Sequence, residues 1–334
     1  MNAPVPQATG VYLQTYLALF APLLGRDDVT DIFVNRPGEA WAETLGGGIE
    51  RHDLPELDET TLWRLARQIA SLAHQGVSRE HPLLSASLPD GARVQIVAPP
   101  ATRDGMALAI RKHVVANLTL EDYLAAGAFE NVRKDDAGTD ALDDALQRLL
   151  DGGDVAGFLR MAVKGRKNIV VSGGTSTGKT TFLNALIKEM PQSERLIVIE
   201  DTPEVQIDHP NAVGLVAVRG ELGEARVAAE DLLQASLRMR PDRIIMGELR
   251  GAEAYSFLRA VNTGHPGSVT TVHADSPRGA VDQLALMVMQ AGSNLSRAEI
   301  VDYIRGVVPI FVQLSRQEGR RSVSQIAFQP VRRD

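Results

Sequence analysis

Apolar residues are spaced differently in the two halves of this chain. In the N-terminal half, two stretches have helical spacing and several shorter apolar runs have the length of strands. The predicted helices cover 11–24 and 58–74, and the predicted strands include 31–35, 93–97 and 106–110. Turn signals such as Pro89-Asp90-Gly91 separate the strands. This mixture predicts a small α+β domain over residues 1–116.

From residue 154 onward, strand-like runs and helical patterns alternate. The predicted strands cover 168–172, 196–199, 214–218, 243–246 and 267–272, and the predicted helices cover 155–163, 228–238, 251–261 and 277–290. Two further runs, 310–314 and 322–328, are predicted to be edge strands. Regular alternation indicates a mostly parallel sheet flanked by helices, with ligands at the carboxyl ends of its strands. We therefore predict an α/β fold whose larger, C-terminal domain covers 154–334.

The stretch between the two domains, residues 117–153, is polar and rich in charge. Residues 118–123 have the composition of a short helix start, and Gly138 interrupts the charged part that follows. Polar stretches without apolar periodicity usually lie on the surface or move. We predict a linker over 117–153.

Composition excludes several classes of protein. The chain has 334 residues, enough for two hydrophobic cores. Its 35 basic and 42 acidic residues argue against a protein that coats nucleic acid, and 4% aromatic residues argue against a stacking platform for single strands. The absence of cysteine excludes disulfides and thiolate metal sites. Without a membrane-spanning run or a signal pattern, we expect a cytosolic protein that is at most peripheral to a membrane.

The strongest chemical signal is the sequence Gly-Gly-Thr-Ser-Thr-Gly-Lys-Thr at Gly173–Thr180. It matches the phosphate-binding P-loop pattern and lies between a predicted strand and a predicted helix, as that loop requires. Glycines let backbone N–H groups turn toward a polyphosphate, and the helix N-terminus adds partial positive charge. The predicted nucleotide-binding residues of this loop are Gly173, Gly174, Thr175, Ser176, Thr177, Gly178, Lys179, Thr180 and Thr181. Lys179 is expected to reach the β- and γ-phosphates, and the Thr180 hydroxyl to ligate Mg²⁺.

Two carboxylates follow strands of the predicted sheet. Glu200 follows the strand 196–199, and Glu248 follows the strand 243–246. A P-loop ATPase needs one carboxylate in the Mg²⁺ shell and one that orients the attacking water. Glu248 is the stronger candidate for the water, whereas Glu200 either shares that role or belongs to the Mg²⁺ shell. Both remain candidate metal and catalytic residues.

Histidine and arginine supply the remaining candidates. His273 ends a third strand, where it would sense the γ-phosphate, although a packed crevice is an alternative for it and more so for His265. Phosphoryl transfer also calls for a guanidinium near the γ-phosphate. Four arginines lie near predicted loops: Arg219, Arg238, Arg240 and Arg250. Because ordinary solvated charges have the same pattern, these four are not ranked.

In combination, these motifs resemble the secretion (traffic) ATPases, and most closely their type IV secretion branch, over residues 15–330. The matching blocks are the Walker A motif Gly173–Thr180, the acidic box Val198–Glu204, the segment Leu237–Asp242, the Walker B motif Arg243–Glu248, the histidine box Thr263–His273, and the N-terminal segments Arg93–Pro100 and Ala109–Lys112. The resemblance implies a C-terminal RecA-like domain, a homo-hexameric ring, and hydrolysis of ATP with Mg²⁺. It also implies a site at the cytoplasmic face of the inner membrane, where the ring would power pilus assembly or the export of DNA or effector proteins.

The resemblance also assigns roles and partners. It implies that Lys179 and Thr180 bind phosphate and Mg²⁺, that His273 reports the nucleotide state, and that Arg111 reaches the nucleotide from the N-terminal domain. Arg238 or Arg240 would act at the phosphates or across a subunit boundary, and Arg240 is taken as the catalytic candidate. The implied partners are the inner-membrane complex of the secretion system and its coupling components, with no direct binding of nucleic acid.

Three alternatives stay open at this point. RecA-like rings also translocate nucleic acid, which the acidic charge and scarce aromatic residues disfavour. Motors of type II secretion and type IV pili often carry a four-cysteine zinc insertion, which a chain without cysteine lacks. A nucleotide-dependent scaffold is the third alternative, and the complete set of active-site residues argues against it.

Overall fold

The computed structural model describes residues 9–112, 119–125, 127–130, 141–218 and 223–330. Arg219, which the sequence singled out, lies outside the described residues, as do parts of the predicted linker. Within the described ranges, none of the helices combines the length and apolar content that a bilayer crossing requires.

The N-terminal domain is an antiparallel sheet with helices on one face. Its strands are β1 (Val29–Val34), β2 (Glu39–Thr44), β3 (Ile49–Asp53), β4 (Leu83–Ser87), β5 (Arg93–Val97) and β6 (Ala107–Arg111), in the spatial order β3-β2-β1-β6-β5-β4. The helices are α1 (Thr9–Leu17), a 3₁₀ turn (Ala18–Phe20), α2 (Ala21–Leu24) and α3 (Glu59–Leu72). The predicted single helix 11–24 is therefore broken, because Pro22 has no N–H for an interior helical bond and instead begins a new helix.

Burial explains how α3 is held on this sheet. Asp58 caps the helix by accepting a hydrogen bond from the Thr61 N–H at 2.7 Å. Leu62, Leu65 and Ile69 recur at helical spacing and are fully buried in one cluster with the sheet. The apolar spacing that predicted this helix is thus the spacing of its buried residues.

The C-terminal domain is a seven-stranded sheet between helices. Its strands are β7 (Ile169–Gly173), β8 (Leu196–Glu200), β9 (Ala212–Val216), β10 (Arg243–Met246), β11 (Val269–Val272), β12 (Ile310–Gln317) and β13 (Arg320–Phe328), in the order β13-β12-β7-β11-β10-β8-β9. The helices are α6 (Val155–Lys164), α7 (Lys179–Lys188), α8 (Ala229–Ser236), α9 (Glu253–Asn262), α10 (Pro277–Gln290) and α11 (Arg297–Val307). Every pair is parallel except β12–β13, which confirms the predicted mostly parallel sheet.

The position of β12 differs from its prediction as an edge strand. It pairs with β7 on one side and β13 on the other, and Phe311 and Val312 are buried. Only β13 and β9 are edges of the described sheet. An apolar run has the same periodicity whether its strand is paired on one side or on both, so periodicity does not distinguish an edge strand from an interior one.

Part of the predicted linker is folded. Between the short helix α4 (Leu120–Ala125) and α6 lies α5 (Ala141–Asp151), with Leu146 fully buried against α6. Lys167 pairs with the buried carboxylate of Asp143. Residues 141–151 of the predicted linker thus form a helix packed on α6, because their leucines recur at helical spacing within a charge-rich sequence. We propose that the C-terminal domain begins at residue 141.

The two domains share apolar contacts. One buried cluster joins Phe33 and Trp41 of the N-terminal sheet to Leu215 of the C-terminal sheet. Buried hydrogen bonds also join the domains: the buried Arg195 donates to the side-chain oxygens of Asn35, in the N-terminal domain, and of Asn211, both at 2.6 Å. Burial lowers the pKa of Arg195 to about 9. The N-terminal domain is therefore packed on the C-terminal domain of its own chain.

Candidate active site

The P-loop lies where the sequence predicted it, between β7 and α7. Gly178 forms the N-cap of α7 with a φ of +91°, a left-handed conformation that L side chains rarely adopt. Thr177 stiffens the turn by donating to the Gly174 carbonyl at 2.9 Å. Of the remaining predicted loop residues, Gly173 ends β7, Thr175 and Ser176 lie in this turn, and Thr180 and Thr181 lie in the first turn of the helix. The N–H groups at the start of α7 therefore face one small region at the end of β7.

Lys179 is held inside this loop. Its Nζ donates to the Gly173 carbonyl at 3.0 Å and to the Gly174 carbonyl at 3.3 Å, and lies 3.3 Å from His273 Nδ1. Burial lowers the pKa of its ammonium. The ammonium therefore lies between the loop carbonyls and the end of β11, where it can exchange these acceptors for phosphate oxygens.

His273 joins Lys179 to Glu248. The imidazole Nε2 lies 3.0 Å from Glu248 Oε1, while Nδ1 faces the Lys179 ammonium. A neutral imidazole protonated on Nε2 satisfies both contacts, since Nδ1 then accepts and Nε2 donates. The structure therefore brings together three predicted residues, from the P-loop and two further strand ends, in one continuous line of polar contacts.

Arg250 extends this line on its far side. Its guanidinium donates to Glu248 Oε2 at 2.9 Å and to Asp201 Oδ2 at 3.3 Å. The hydrogen bond with Glu248 raises the pKa of Arg250, so the guanidinium stays charged at any physiological pH. Of the three unranked arginines that the structure describes, Arg238, Arg240 and Arg250, it is Arg250 that lies beside a predicted catalytic carboxylate.

Glu200 lies at the end of β8, where the sequence predicted it, and its side chain is bound within the protein. Its carboxylate is 5% exposed, and Oε1 accepts from the backbone N–H groups of Glu204 at 3.0 Å and Val205 at 2.8 Å. Its Oε2 pairs with Arg103 of the N-terminal domain. Because both oxygens are engaged within the protein, Glu200 organises the loop that follows β8 in this structure.

Glu204, at the end of that loop, reaches the P-loop. Its Oε2 accepts from the Thr180 hydroxyl at 3.1 Å. Sequence reasoning did not single out Glu204, although it lies four residues beyond Glu200 in the acidic box. The spacing of four residues was the available signal. Across a turn it lets the Glu200 carboxylate bind the backbone of the turn while the Glu204 carboxylate reaches the P-loop.

The donors at this site suit Mg²⁺. Hard oxygen ligands, namely the Thr180 hydroxyl and the Glu204 and Glu248 carboxylates, lie around the P-loop. In the described ranges no three acidic or histidine side chains are grouped to hold a metal by themselves. This fits an ion that retains several waters and is bound jointly by one or two protein oxygens and phosphate.

The structure does not bring two predicted arginines to this site. Arg240 precedes the amino end of β10, whereas the P-loop follows the carboxyl end of the parallel strand β7. The two therefore lie at opposite ends of the strands. Arg240 instead pairs with Glu43 of the N-terminal domain and with Asp242 at 2.9 Å. Arg111 pairs with Asp31 at 3.1 Å. Within one chain, Arg240 therefore lies away from the P-loop, and its role at the phosphates or across a subunit boundary stays a prediction. That Arg111 reaches the nucleotide from the N-terminal domain also stays a prediction.

Arg238 and His265 also lie away from the P-loop contacts. Arg238 is exposed, in the turn after α8, and donates to the Gln234 carbonyl of that helix at 3.1 Å. His265 Nδ1 lies 2.9 Å from the Pro241 carbonyl, and burial lowers its pKa. For His265 the packed-crevice interpretation is the one that fits.

A cation that sequence reasoning missed lies over the P-loop. A methyl group built on Gly178 would be 3.0 Å from Arg321 Cδ and 3.6 Å from Arg321 NH1. Arg321 lies on β13 and is paired across the hairpin with Arg316. No carboxylate among the described residues forms an ion pair with Arg321, and like charges on facing positions repel. An anion between the hairpin and the loop would relieve that repulsion.

Comparison with known proteins agrees with this geometry. A family model described as "Type II/IV secretion system protein" matches residues 20–317. The type IV secretion system protein VirB11 of Brucella suis is 42% identical over 293 residues, which cover 86% of this chain and 80% of that protein. The protein PtlH of Bordetella pertussis is 38% identical over 342 residues, covering 98% of this chain and 97% of that protein.

A solved structure shares the whole architecture. The crystal structure of the VirB11 ATPase from the Brucella suis type IV secretion system, in complex with sulphate, superposes with a TM-score of 0.89 at 38% identity and covers 96% of this chain and 98% of that one. The predicted RecA-like C-terminal domain behind a smaller α+β domain is thus confirmed. The chain therefore belongs to the type II/IV secretion system protein family and is one of its type IV secretion ATPases.

Proposed function

We propose that this ATPase is the Mg²⁺-dependent motor of a type IV secretion system and works as a ring of six copies. The observation that carries the proposal is the line Lys179–His273–Glu248, which links the P-loop to two further strand ends. The VirB11 relatives support the secretion role. We further propose that the ring docks on the inner-membrane components of its system, at the cytoplasmic face of that membrane.

Each residue of the line has a distinct task in the proposed mechanism. The backbone N–H groups of the P-loop and the Lys179 ammonium hold the phosphates, and Thr180 with Glu204 supplies oxygens to the metal shell. A bound Mg²⁺ supplies charge stabilisation at the phosphates. Glu248 orients the attacking water, because its carboxylate lies at the end of β10 beside the loop.

His273 couples the two ends of the site. When Lys179 turns toward a phosphate, its contact with His273 Nδ1 is exchanged for a phosphate oxygen. The imidazole then loses one hydrogen-bonding partner while keeping Glu248 on its other nitrogen. The position of Glu248 thereby depends on whether the P-loop is occupied, which agrees with the sensing role predicted for His273.

The direct test combines turnover with mass. We expect the purified chain to release inorganic phosphate from ATP only with Mg²⁺, and to lose this activity with EDTA. Native mass spectrometry with Mg²⁺ and ADP should show six copies. A protein that stays monomeric under these conditions would contradict the ring, and phosphate release unaffected by EDTA would contradict the metal.

Arg321 is predicted to bind the nucleotide from the hairpin side. Arg321→Ala should raise the Kd for ADP about tenfold, because a charge-assisted contact of about 1.5 kcal/mol or more is removed. The matched control is Arg320→Ala, since the neighbouring side chain of a strand points to the other face. Isothermal titration with Mg²⁺–ADP measures both variants. Equal Kd values for Arg321→Ala and the parent would show that the hairpin does not contact the nucleotide.

A further inference from the structure

The two domains are joined by a backbone contact at the edge of the C-terminal sheet. Beyond β5, Thr102 forms an antiparallel bridge with Leu215 on the edge strand β9. The Val216 N–H donates to the Ala101 carbonyl and the Arg103 N–H donates to the Gly214 carbonyl, both at 3.0 Å. Edge strands expose unpaired backbone groups, and here the N-terminal domain satisfies some of them. The backbone of residue 103 is therefore in register with the C-terminal sheet.

From this anchor the Arg103 side chain crosses β9 at a glycine. A methyl group at position 214 would lie 2.5 Å from Arg103 Cδ and 2.9 Å from Cγ. Real Cβ atoms do not approach other atoms so closely, so a larger residue at 214 and this path for Arg103 exclude each other. Because Gly214 has no side chain, it leaves the space that the Arg103 side chain occupies on its way into the C-terminal domain.

The guanidinium ends at the acidic loop, defined here as residues 200–205. It pairs with Glu200 Oε2, and NH1 donates to the Val205 carbonyl at 2.7 Å. Only 16% of the arginine side chain and 3% of the glutamate side chain are exposed. The forked guanidinium binds the Glu200 carboxylate and the Val205 carbonyl together. It thereby holds both ends of the acidic loop in one geometry.

The acidic loop in turn touches the nucleotide site. Glu200 Oε1 binds the N–H groups of Glu204 and Val205, and Glu204 Oε2 accepts from the Thr180 hydroxyl. Three consecutive contacts therefore lead from a side chain of the N-terminal domain to a predicted Mg²⁺ ligand. None of them involves Lys179, His273 or Glu248, so this path is separate from the line described above.

We propose that Arg103 is a positioning residue for ATP hydrolysis, through which the docked N-terminal domain holds the acidic loop so that Glu204 meets Thr180. The proposal rests on the function proposed above, because it assumes that Thr180 and Glu204 serve the metal shell. Loss of the contact leaves the phosphate-binding loop intact and misplaces only the carboxylate side of the metal shell. The expected signature is a defect in turnover with little change in the affinity for nucleotide.

The test removes the fork in two independent ways. Arg103→Met keeps the apolar stem and removes the charge, whereas Gly214→Ala keeps both charges and blocks the path. For both variants we expect kcat to fall by about 10- to 100-fold, since small displacements of catalytic groups have effects of this size. KM for ATP should stay within about twofold of the parent, and the Mg²⁺ concentration for half-maximal rate should rise. Arg103→Lys should recover part of kcat, since an ammonium replaces the charge but not the fork.

The matched control is another ion pair between the domains, Arg79 with Glu224, in which both side chains are about half exposed. Arg79→Met removes an interdomain contact that does not involve the acidic loop, so its kcat should equal that of the parent. If Arg103→Met does not fold, as judged by its melting temperature, Gly214→Ala decides the question.

Three outcomes would overturn the inference. They are a parental or raised kcat in Gly214→Ala, a loss of kcat in Arg79→Met as large as in Arg103→Met, and a KM for ATP that rises in proportion to the fall in kcat. The parent enzyme and a Lys179 variant are assayed in parallel. An active parent with an inactive Lys179 variant leaves the proposed function in place whatever Arg103 shows.

Discussion

Replacing Lys179 by alanine should abolish hydrolysis, with a fall in kcat of at least about 10²- to 10³-fold, the usual effect of removing one group that stabilises transition-state charge. The ammonium is the only lysine or arginine charge that lies inside the described P-loop, held there by the Gly173 and Gly174 carbonyls. Without it, the negative charge that develops on the phosphates has no cation in the loop. Phosphate release under saturating Mg²⁺–ATP measures the effect.

The control is Lys188→Ala, at the exposed end of the same helix α7. It removes one positive charge and leaves the P-loop unchanged, so its kcat should match that of the parent. The circular-dichroism spectra and native masses of both variants establish that they fold and assemble. A Lys179→Ala variant that hydrolyses ATP at the parental rate would refute the assignment of this loop as the catalytic site.

Glu248→Gln should have the second-largest effect, a fall in kcat of about 10²-fold or more with unchanged nucleotide binding. The amide keeps the size of the side chain but lacks the charge that orients and polarises the attacking water. Binding should persist because the P-loop contacts do not involve Glu248. Single-turnover hydrolysis and Kd for Mg²⁺–ATP, measured on one preparation, separate the two steps.

The comparison variant is Glu204→Gln, which tests the other carboxylate near the P-loop. Its main effect should be a higher Mg²⁺ requirement, because Glu204 contacts the Thr180 hydroxyl, whereas Glu248 contacts His273. If the two variants exchanged these phenotypes, the roles of the strand-end and loop carboxylates would have to be reversed. Either result leaves the metal and water roles to Glu204 and Glu248, because both oxygens of Glu200 are already bound by Arg103 and the backbone.

The nucleotide site was predictable where its parts are local in sequence. Strand, glycine turn and helix follow one another within residues 169–188, so the P-loop and its Lys179 were assigned from the chain alone and lie as expected. The strand ends at Glu248 and His273 were equally predictable, because the carboxyl ends of neighbouring parallel strands meet at one edge. The contact of His273 with both Lys179 and Glu248 follows from that rule.

Prediction failed for a helix in a charge-rich sequence and for a side chain whose partner is distant in the sequence. The charge-rich sequence around residues 141–151 concealed a helical face that is buried through Leu146. Arg240 belongs to one of the family's motifs, yet it lies at the amino ends of the strands, away from the P-loop. There it pairs with Glu43, a partner 197 positions away in the sequence. An arginine has the same local pattern in either setting, so its partner cannot be assigned without the packing of the domains.

By itself, the sequence determined the fold class, the phosphate-binding loop and the order of acidic and histidine residues at the strand ends, because each depends on contiguous residues or on the regular geometry of parallel strands. Only the tertiary structure decided which cations meet that site. Arg321 lies over Gly178 because of a hairpin, and Arg103 reaches Glu200 because one domain docks on the edge strand of the other. Such contacts depend on how separate elements pack against each other, and the local amino-acid sequence of one element does not contain that information.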